Sequence, residues 1–260
     1  LGAVLVLFGI GILLGLAASV PLASRNNLDP FHYVERQALF GAVALVTMLA
    51  VSMLPPETVR RLGILGFALA LVALAFLPLL GSDLGKGAVR WYRLGFATFQ
   101  PSEFIKPGFI IVTAWLMAAA QEINGPPGRI VSFALAIVVV ILLAIQPDFG
   151  QSMLVVFGWC VVYFVAGAPM AVIGIVLGAV GTAGFVLYGM SEHLARRIDG
   201  FLAADVDPRS QLGYATNAIQ EGGFFGVGVG EGQVKWTLPD AHTDFIIAVA
   251  AEEYGLILVL

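Results

Sequence analysis

The run Ile130-Val-Ser-Phe-Ala-Leu-Ala-Ile-Val-Val-Val-Ile-Leu-Leu-Ala-Ile-Gln146, IVSFALAIVVVILLAIQ, contains no charged side chain from end to end. A helix crossing the hydrocarbon core of a bilayer needs about 20 predominantly apolar residues, and this run approaches that length. Working outward, comparable runs occupy 1–22, 34–54, 62–80, 104–120, 151–168, 170–190 and 244–260. The chain therefore reads as an all-α integral membrane protein, a polytopic helical bundle. Its composition agrees: of 260 residues, 59% are hydrophobic and 12% charged, and the mean hydropathy of +0.95 excludes an ordinary soluble domain. No nucleic-acid partner is expected.

Leu1 and Leu260 both lie in apolar runs, so the sequence reads as a fragment lacking both termini. The first run has no basic leader, and Ser24-Arg25 is a poor small-residue cleavage site, which favours a spanning helix over a signal peptide. Cys160 is the single cysteine. It has no intrachain disulfide partner and reads as a small side chain buried in the membrane.

Successive crossings assign each loop to one of two sides. Only Glu57, Arg60, Arg61, Glu122 and Arg129 fall on one side; every other charged residue falls on the opposite side, in the segments 24–34, 81–103, 146–150 and 191–244 and the helix ends beside them. A count of Lys and Arg alone would place the crowded side in the cytoplasm. A site for an anionic lipid substrate would gather cations wherever it faced, so charge alone leaves the orientation open.

Four stretches on the crowded side carry the chemistry. In 85–106, Lys86, Arg90 and Arg93 interleave with Trp91 and Tyr92, a pattern suited to the headgroup region, where rings sit at the interface and cations meet phosphates. Pro101-Ser102-Glu103 predicts a helix start with Ser102 as N-cap, and Glu103 and Lys106 stand at the spacing of a helical ion pair. Gln146-Pro-Asp-Phe-Gly150 places Asp148 in a tight turn between apolar runs. It serves there either as a cap or as a functional ionisable group at membrane depth.

The Gly-rich run 221–235 lacks the G-x-x-x-x-G-K-[ST] ending of a P-loop and follows no strand. Its glycines instead suit irregular backbone folded against helices and lining a cavity. In Pro239-Asp-Ala-His-Thr-Asp-Phe245, Thr243 or Asp244 is the expected N-cap of the last helix. His242 and Asp244 are too few to form a metal site alone. Glu252 and Glu253 follow, about 12–13 Å further along a helix at 1.5 Å per residue. On that helix Glu252 projects about 80° from Asp244 and Glu253 about 180°, so Glu252 is the better placed to share a cavity with it.

Together GAVRWYRLG (87–95), FQPSEFIKPG (99–108), QPDFG (146–150), EGGFFGVGVGEG (221–232) and LPDAHTDFIIAVAAEEYG (238–255) resemble the SEDS family, the FtsW/RodA proteins of bacterial wall synthesis. The order and spacing are those of the family. The L-P-D-A-H-T-D-F wording and the E-G-G opening look more like the division branch, FtsW, than the elongation branch, RodA. One departure is Tyr214-Ala215, where the family usually has Gln after the Tyr.

The resemblance implies a ten-helix fold of which about eight helices fall here. The expected domain is a single truncated transmembrane unit, 1–260, containing a large extracytoplasmic loop, 191–243. It also implies a cytoplasmic N-terminus, a multi-pass inner-membrane location with an extracytoplasmic active face, and polymerisation of lipid II into glycan strands during division. The partners it implies are a class B penicillin-binding protein as transpeptidase and other divisome proteins.

The family's catalytic aspartate falls on Asp244, the expected general base, with His242 beside it in the catalytic pair. Substrate binding is expected from Arg90, Lys106, Glu103, Ser102, Asp148 and Arg93. Glu252 and Glu253 are expected to be buried supports. A divalent cation, Mg or Mn, would share the neutralisation of pyrophosphate, with Asp148 or Glu103 as ligands and the set unassigned. Competing readings are a lipid II flippase, a noncatalytic scaffold of the division machinery, and a RodA-like elongation role. The one-sided charge favours an enzyme, because a flippase needs polar groups reaching both faces.

Overall fold

The computed structural model describes residues 1–83, 89–95, 98–190, 192–202, 207–238 and 241–259. The chain divides into two compact units, Met53–Leu187 and Leu1–Ser52 with Tyr188–Leu260.

The Met53–Leu187 unit is built on α3 (Pro56–Leu80), α4 (Pro101–Ala119), α5 (Gly128–Ile145) and α6 (Phe149–Val165), with most of α7 (Met170–Met190); α1 (Gly2–Arg25) and α2 (His32–Ser52) belong to the other unit. Proline at the first position of α3 and α4 starts each helix where no N–H partner is needed. The α3 and α4 backbones approach closely at two glycines: a Cβ on Gly108 would sit 2.9 Å from Phe67 N, and one on Gly63 would sit 2.7 Å from Ile111. Small residues permit such approach between membrane helices, where packing replaces the hydrophobic drive.

Phe67, Leu74, Ile105, Phe109, Val139 and Trp159 are buried in this unit's core. Trp159 donates its indole N–H to Ser132 Oγ at 3.3 Å, satisfying a polar group that has no water to turn to. Large apolar side chains such as Leu69, Phe157 and Phe185 remain on the outside, as expected of surface facing lipid.

Between α3 and α4 the structure places a three-stranded antiparallel sheet instead of irregular loop: β1 (Ser82–Asp83), β2 (Val89–Arg93) and β3 (Thr98–Phe99), in that order. Ser82 pairs with Trp91, and Tyr92 with Phe99. Lys86 lies outside the described residues.

In the other unit, α1 and α2 pack through glycine. Gln37 Nε2 donates to Gly11 O at 3.2 Å, and its Oε1 occupies the space a Cβ would need at Gly15. The segment after α7 contains α8 (Glu192–Leu202), α9 (Gln211–Gly222) and a 3-10 turn (Val234–Trp236). Ser210 caps α9 by accepting from Gly213 N at 3.0 Å. Then come α10 (Ile246–Tyr254) and α11 (Leu256–Val259).

Among the described residues, α1 to α5 and α7 are each long and apolar enough to cross a membrane, and α6 is a shorter apolar helix. The expected eighth helix, 244–260, is corrected. It breaks at Gly255, whose φ of +81° lies in the left-handed region, and beyond the break Leu256 N donates to Gly223 O at 3.0 Å.

Candidate functional site

In the Met53–Leu187 unit the expected residues gather around the α5–α6 turn. Arg90 on β2 donates Nε to Gln146 O at 3.1 Å and an Nη to Pro147 O at 2.5 Å, so its planar fork ties the sheet to the turn that carries Asp148. Gln146 is buried and donates to Leu74 O at 3.1 Å, anchoring the same turn on α3. Tyr92 adds a second tie, its hydroxyl donating to Ala73 O at 2.8 Å. Burial pushes the Tyr92 phenol above its ordinary range, which keeps that hydroxyl protonated and donating.

Asp148 occupies the N-cap position of α6, but its carboxylate makes no capping bond. It is 8% exposed and, among the described residues, its carboxylate has no hydrogen-bond or ion-pair partner. Glu103 pairs with Lys106 at 2.7 Å, as the spacing predicts. Its other oxygen accepts from Gln151 Nε2 at 2.6 Å, linking α4 to the same turn. Arg93 is exposed at the end of β2.

The N-cap expectation for Ser102 is corrected. Gln100 is the cap residue and Pro101 takes the first helical position. This leaves Ser102 one residue inside the helix, its buried hydroxyl without a partner among the described residues.

In the other unit the corresponding expectation also shifts. Neither Thr243 nor Asp244 is the cap residue of α10; Phe245 is, and 241–245 form turns ahead of the helix. The His242 ring is half-buried and packs 5.7 Å from the Tyr33 ring. Asp244 is exposed, and among the described residues its carboxylate has no hydrogen bond or ion pair. Pro239 and Asp240 lie outside the described residues.

Glu252 and Glu253 are each 1% exposed. Glu252 Oε1 accepts from Gln233 N at 2.6 Å and Val234 N at 2.9 Å. It thus satisfies the free N–H groups at the start of the 3-10 turn and is not directed to a cavity shared with Asp244. Glu253 forms a buried ion pair with Lys235, whose ammonium also donates to Gly230 O at 3.2 Å.

The Gly-rich run lies backbone to backbone on α10. A Cβ on Gly222 would stand 2.0 Å from Ala251 O, and one on Gly226 would stand 2.2 Å from Glu253 O. Val229 and Gly230, with Lys235 and α1 residues, line a cavity of about 460 Å³. The glycines thus fold irregular backbone against a helix and line a cavity, as the sequence predicts.

Lys235, Gln146 and Gln151 were not singled out from sequence. A lysine at the end of the Gly-rich run and 18 residues before a glutamate carries no local signal. The two glutamines do flank Pro147-Asp148, and a polar residue on each side of a buried turn is a signal that could have found them. For the expected cation, no group of three or more His, Cys, Asp or Glu able to hold a metal occurs among the described residues. Glu103 is already engaged by Lys106 and Gln151, and of the two expected ligands only Asp148 has a carboxylate without a partner among the described residues.

The family model described as "Cell cycle protein", FtsW/RodA/SpoVE, matches residues 1–260. A "Probable peptidoglycan glycosyltransferase FtsW" of Caulobacter vibrioides is 40% identical over 260 residues, covering 99% of this chain and 66% of that protein. The chain thus spans just under two thirds of that relative's length.

A solved structure described as "Structural coordination of polymerization and crosslinking by a peptidoglycan synthase complex" matches with a TM-score of 0.70 and 26% identity, over 100% of this chain and 72% of that one. The Rod shape determining protein RodA of Thermus thermophilus shares the fold, with a TM-score of 0.58 at 23% identity over 98% of this chain and 67% of that one. With its apolar helices, its polar turns and a family model matching from first residue to last, this multi-pass membrane chain belongs to the FtsW/RodA/SpoVE family.

Proposed function

We propose that the protein is a peptidoglycan glycosyltransferase that polymerises lipid II into glycan strands during cell division. The observation that carries this reading is Asp244: an exposed carboxylate with no partner among the described residues, held just ahead of a helix whose buried acids are each engaged through Oε1. A base must be free to take a proton, and among the described residues nothing engages the Asp244 carboxylate.

In this reading the hydroxyl of the acceptor sugar attacks the anomeric carbon of the donor. The new glycosidic bond forms as the bond to pyrophosphate breaks, and the electron pair leaves with undecaprenyl pyrophosphate. The hydroxyl proton passes to the Asp244 carboxylate, a step worth about 10²–10⁴-fold in rate. Attack opposite the leaving group inverts the anomeric centre, as in inverting glycosidases.

His242, held by Tyr33, orients the acceptor. Arg90 keeps donors beyond the two it spends on the α5–α6 turn and presents them to pyrophosphate, with Lys106 and Arg93 adding charge. Asp148, Glu103 and Ser102 complete the substrate contacts by hydrogen bonding. No step is routed through a metal ion. The crowded polar side faces outward from the cell, and the transpeptidase partner is a class B penicillin-binding protein within the division machinery. The naming of the Caulobacter relative and the subject of the synthase-complex structure support the activity and the pairing.

The test is a polymerisation assay: purified full-length protein, lipid II in detergent and the transpeptidase partner, with glycan strands as the expected product. Translocation of lipid II across vesicles with no polymer formed would overturn the reading in favour of transport. Wall synthesis unaffected by loss of Asp244 would overturn it in favour of a scaffold.

A further inference from the structure

The helix α8 has a use that the proposed chemistry does not touch. Its described side chains separate by character. Ala195, Ile198 and Leu202 fall within one sector of about 60° at 100° per residue, and Glu192, Arg196 and Asp199 within a separate sector centred about 90° away. The charged three are exposed, and so is Leu202, at 73%. Ala195 and Ile198 are half-buried, and the part of this apolar face that the helix leaves open must meet lipid, protein or water.

Its position decides among these. It begins two residues after the last residue of α7, a helix long and apolar enough to cross a membrane. Tyr188 in the last turn of α7 donates its hydroxyl to Asp199 Oδ1 at 2.7 Å. Were α8 a straight continuation of α7, those two residues would stand about 16 Å apart along the axis at 1.5 Å per residue. A tyrosine and an aspartate side chain cannot span that distance.

α8 therefore does not continue the axis of α7, and the hydrogen bond holds it beside Tyr188, at the end of the spanning helix. A tyrosine hydroxyl at that level matches the interfacial belt of a membrane protein. The charges of the helix, Glu192 and Asp199 against Arg196 and Arg197, cancel.

We propose that α8 lies in the membrane interface, its Ala195–Ile198–Leu202 face inserted at the boundary of headgroups and acyl chains, and that apolar burial rather than charge holds it there. Interfacial helices draw their affinity from buried apolar area plus attraction to anionic lipid. With the second contribution absent, binding should depend on neither anionic lipid nor salt.

The test uses the full-length protein with Cys160 replaced by alanine, reconstituted in vesicles of zwitterionic lipid. Single cysteines placed as Glu192→Cys, Arg196→Cys, Ile198→Cys and Leu202→Cys carry nitroxide labels, read for collision with oxygen, which concentrates in the bilayer, and with a water-soluble nickel chelate. The labels at 198 and 202 should show an oxygen-to-nickel accessibility ratio several-fold above those at 192 and 196. That ratio should be unchanged in about 1 M salt, where the Debye length falls to about 3 Å.

Equal nickel access at all four positions would place the helix in water and overturn the proposal. Shielding of 198 and 202 from both reagents would overturn it too, by showing protein over that face. A ratio that collapses in salt would refute the charge-independent anchoring.

Discussion

Asp244 and Asp148 both lack a carboxylate partner among the described residues, yet one is exposed and the other 8% exposed. Asp148 is the less expected, because a largely buried carboxylate ordinarily holds a hydrogen bond or a counter-charge; its oxygens instead keep access to the surface. Asp148→Asn should therefore leave thermal stability within about 1 kcal/mol while weakening lipid II binding, seen as a raised KM. A variant that melts early with KM unchanged would make Asp148 a structural group.

Arg90 should behave in the opposite way. Its fork holds two carbonyls of the α5–α6 turn, and a lysine at the same place keeps the charge but not the paired donors. Arg90→Lys should lower stability by about 1–3 kcal/mol, measured by thermal unfolding in detergent. No loss of stability would mean the two hydrogen bonds contribute nothing.

For the elements, the joint between the Gly-rich run and α10 invites two experiments. Lys235 and Glu253 are buried together; removing one partner strands a charge, whereas removing both does not. Lys235→Met alone should cost about 3–5 kcal/mol, and Lys235→Met combined with Glu253→Met should recover most of it, in a double-mutant cycle read by thermal unfolding. Additive losses would show that the pair does not interact. Gly226 has a φ of +80° and lies against Glu253 O, so Gly226→Ala should destabilise by more than about 1 kcal/mol.

These same elements mark where sequence reading works and where it fails. The run 130–146 is legible because hydropathy is a sum over neighbours, and it appears as α5. The run 244–260 misleads because the event that breaks it is not local. Gly255 turns the chain so that Leu256 and Ile257 hydrogen-bond to Gly223 and Phe224, some thirty positions upstream. The expected cap at Ser102 fails for a local reason: Pro101 claims the first helical position and pushes the cap back to Gln100. The small sheet between α3 and α4 is hidden because strands as short as β1 and β3 leave no periodicity to read.

At the scale of the molecule, the structure builds polar chemistry in each unit separately. In one, the α5–α6 turn is tied by Arg90, Gln146 and Gln151; in the other, an aspartate with no carboxylate partner among the described residues stands ahead of a helix whose acids are each engaged through one oxygen. The second arrangement separates support from reaction. Glu252 and Glu253 hold backbone and ammonium, and the Asp244 carboxylate holds no partner among the described residues.

An unengaged residue can be lost without cost to the fold, and that makes the central claim directly measurable. Full-length protein carrying Asp244→Asn, assayed beside the unaltered protein for glycan made from lipid II, should melt at the same temperature and lose about 10²–10⁴-fold in polymerisation rate. Polymerisation at the unaltered rate by a normally folded Asp244→Asn protein would contradict the account.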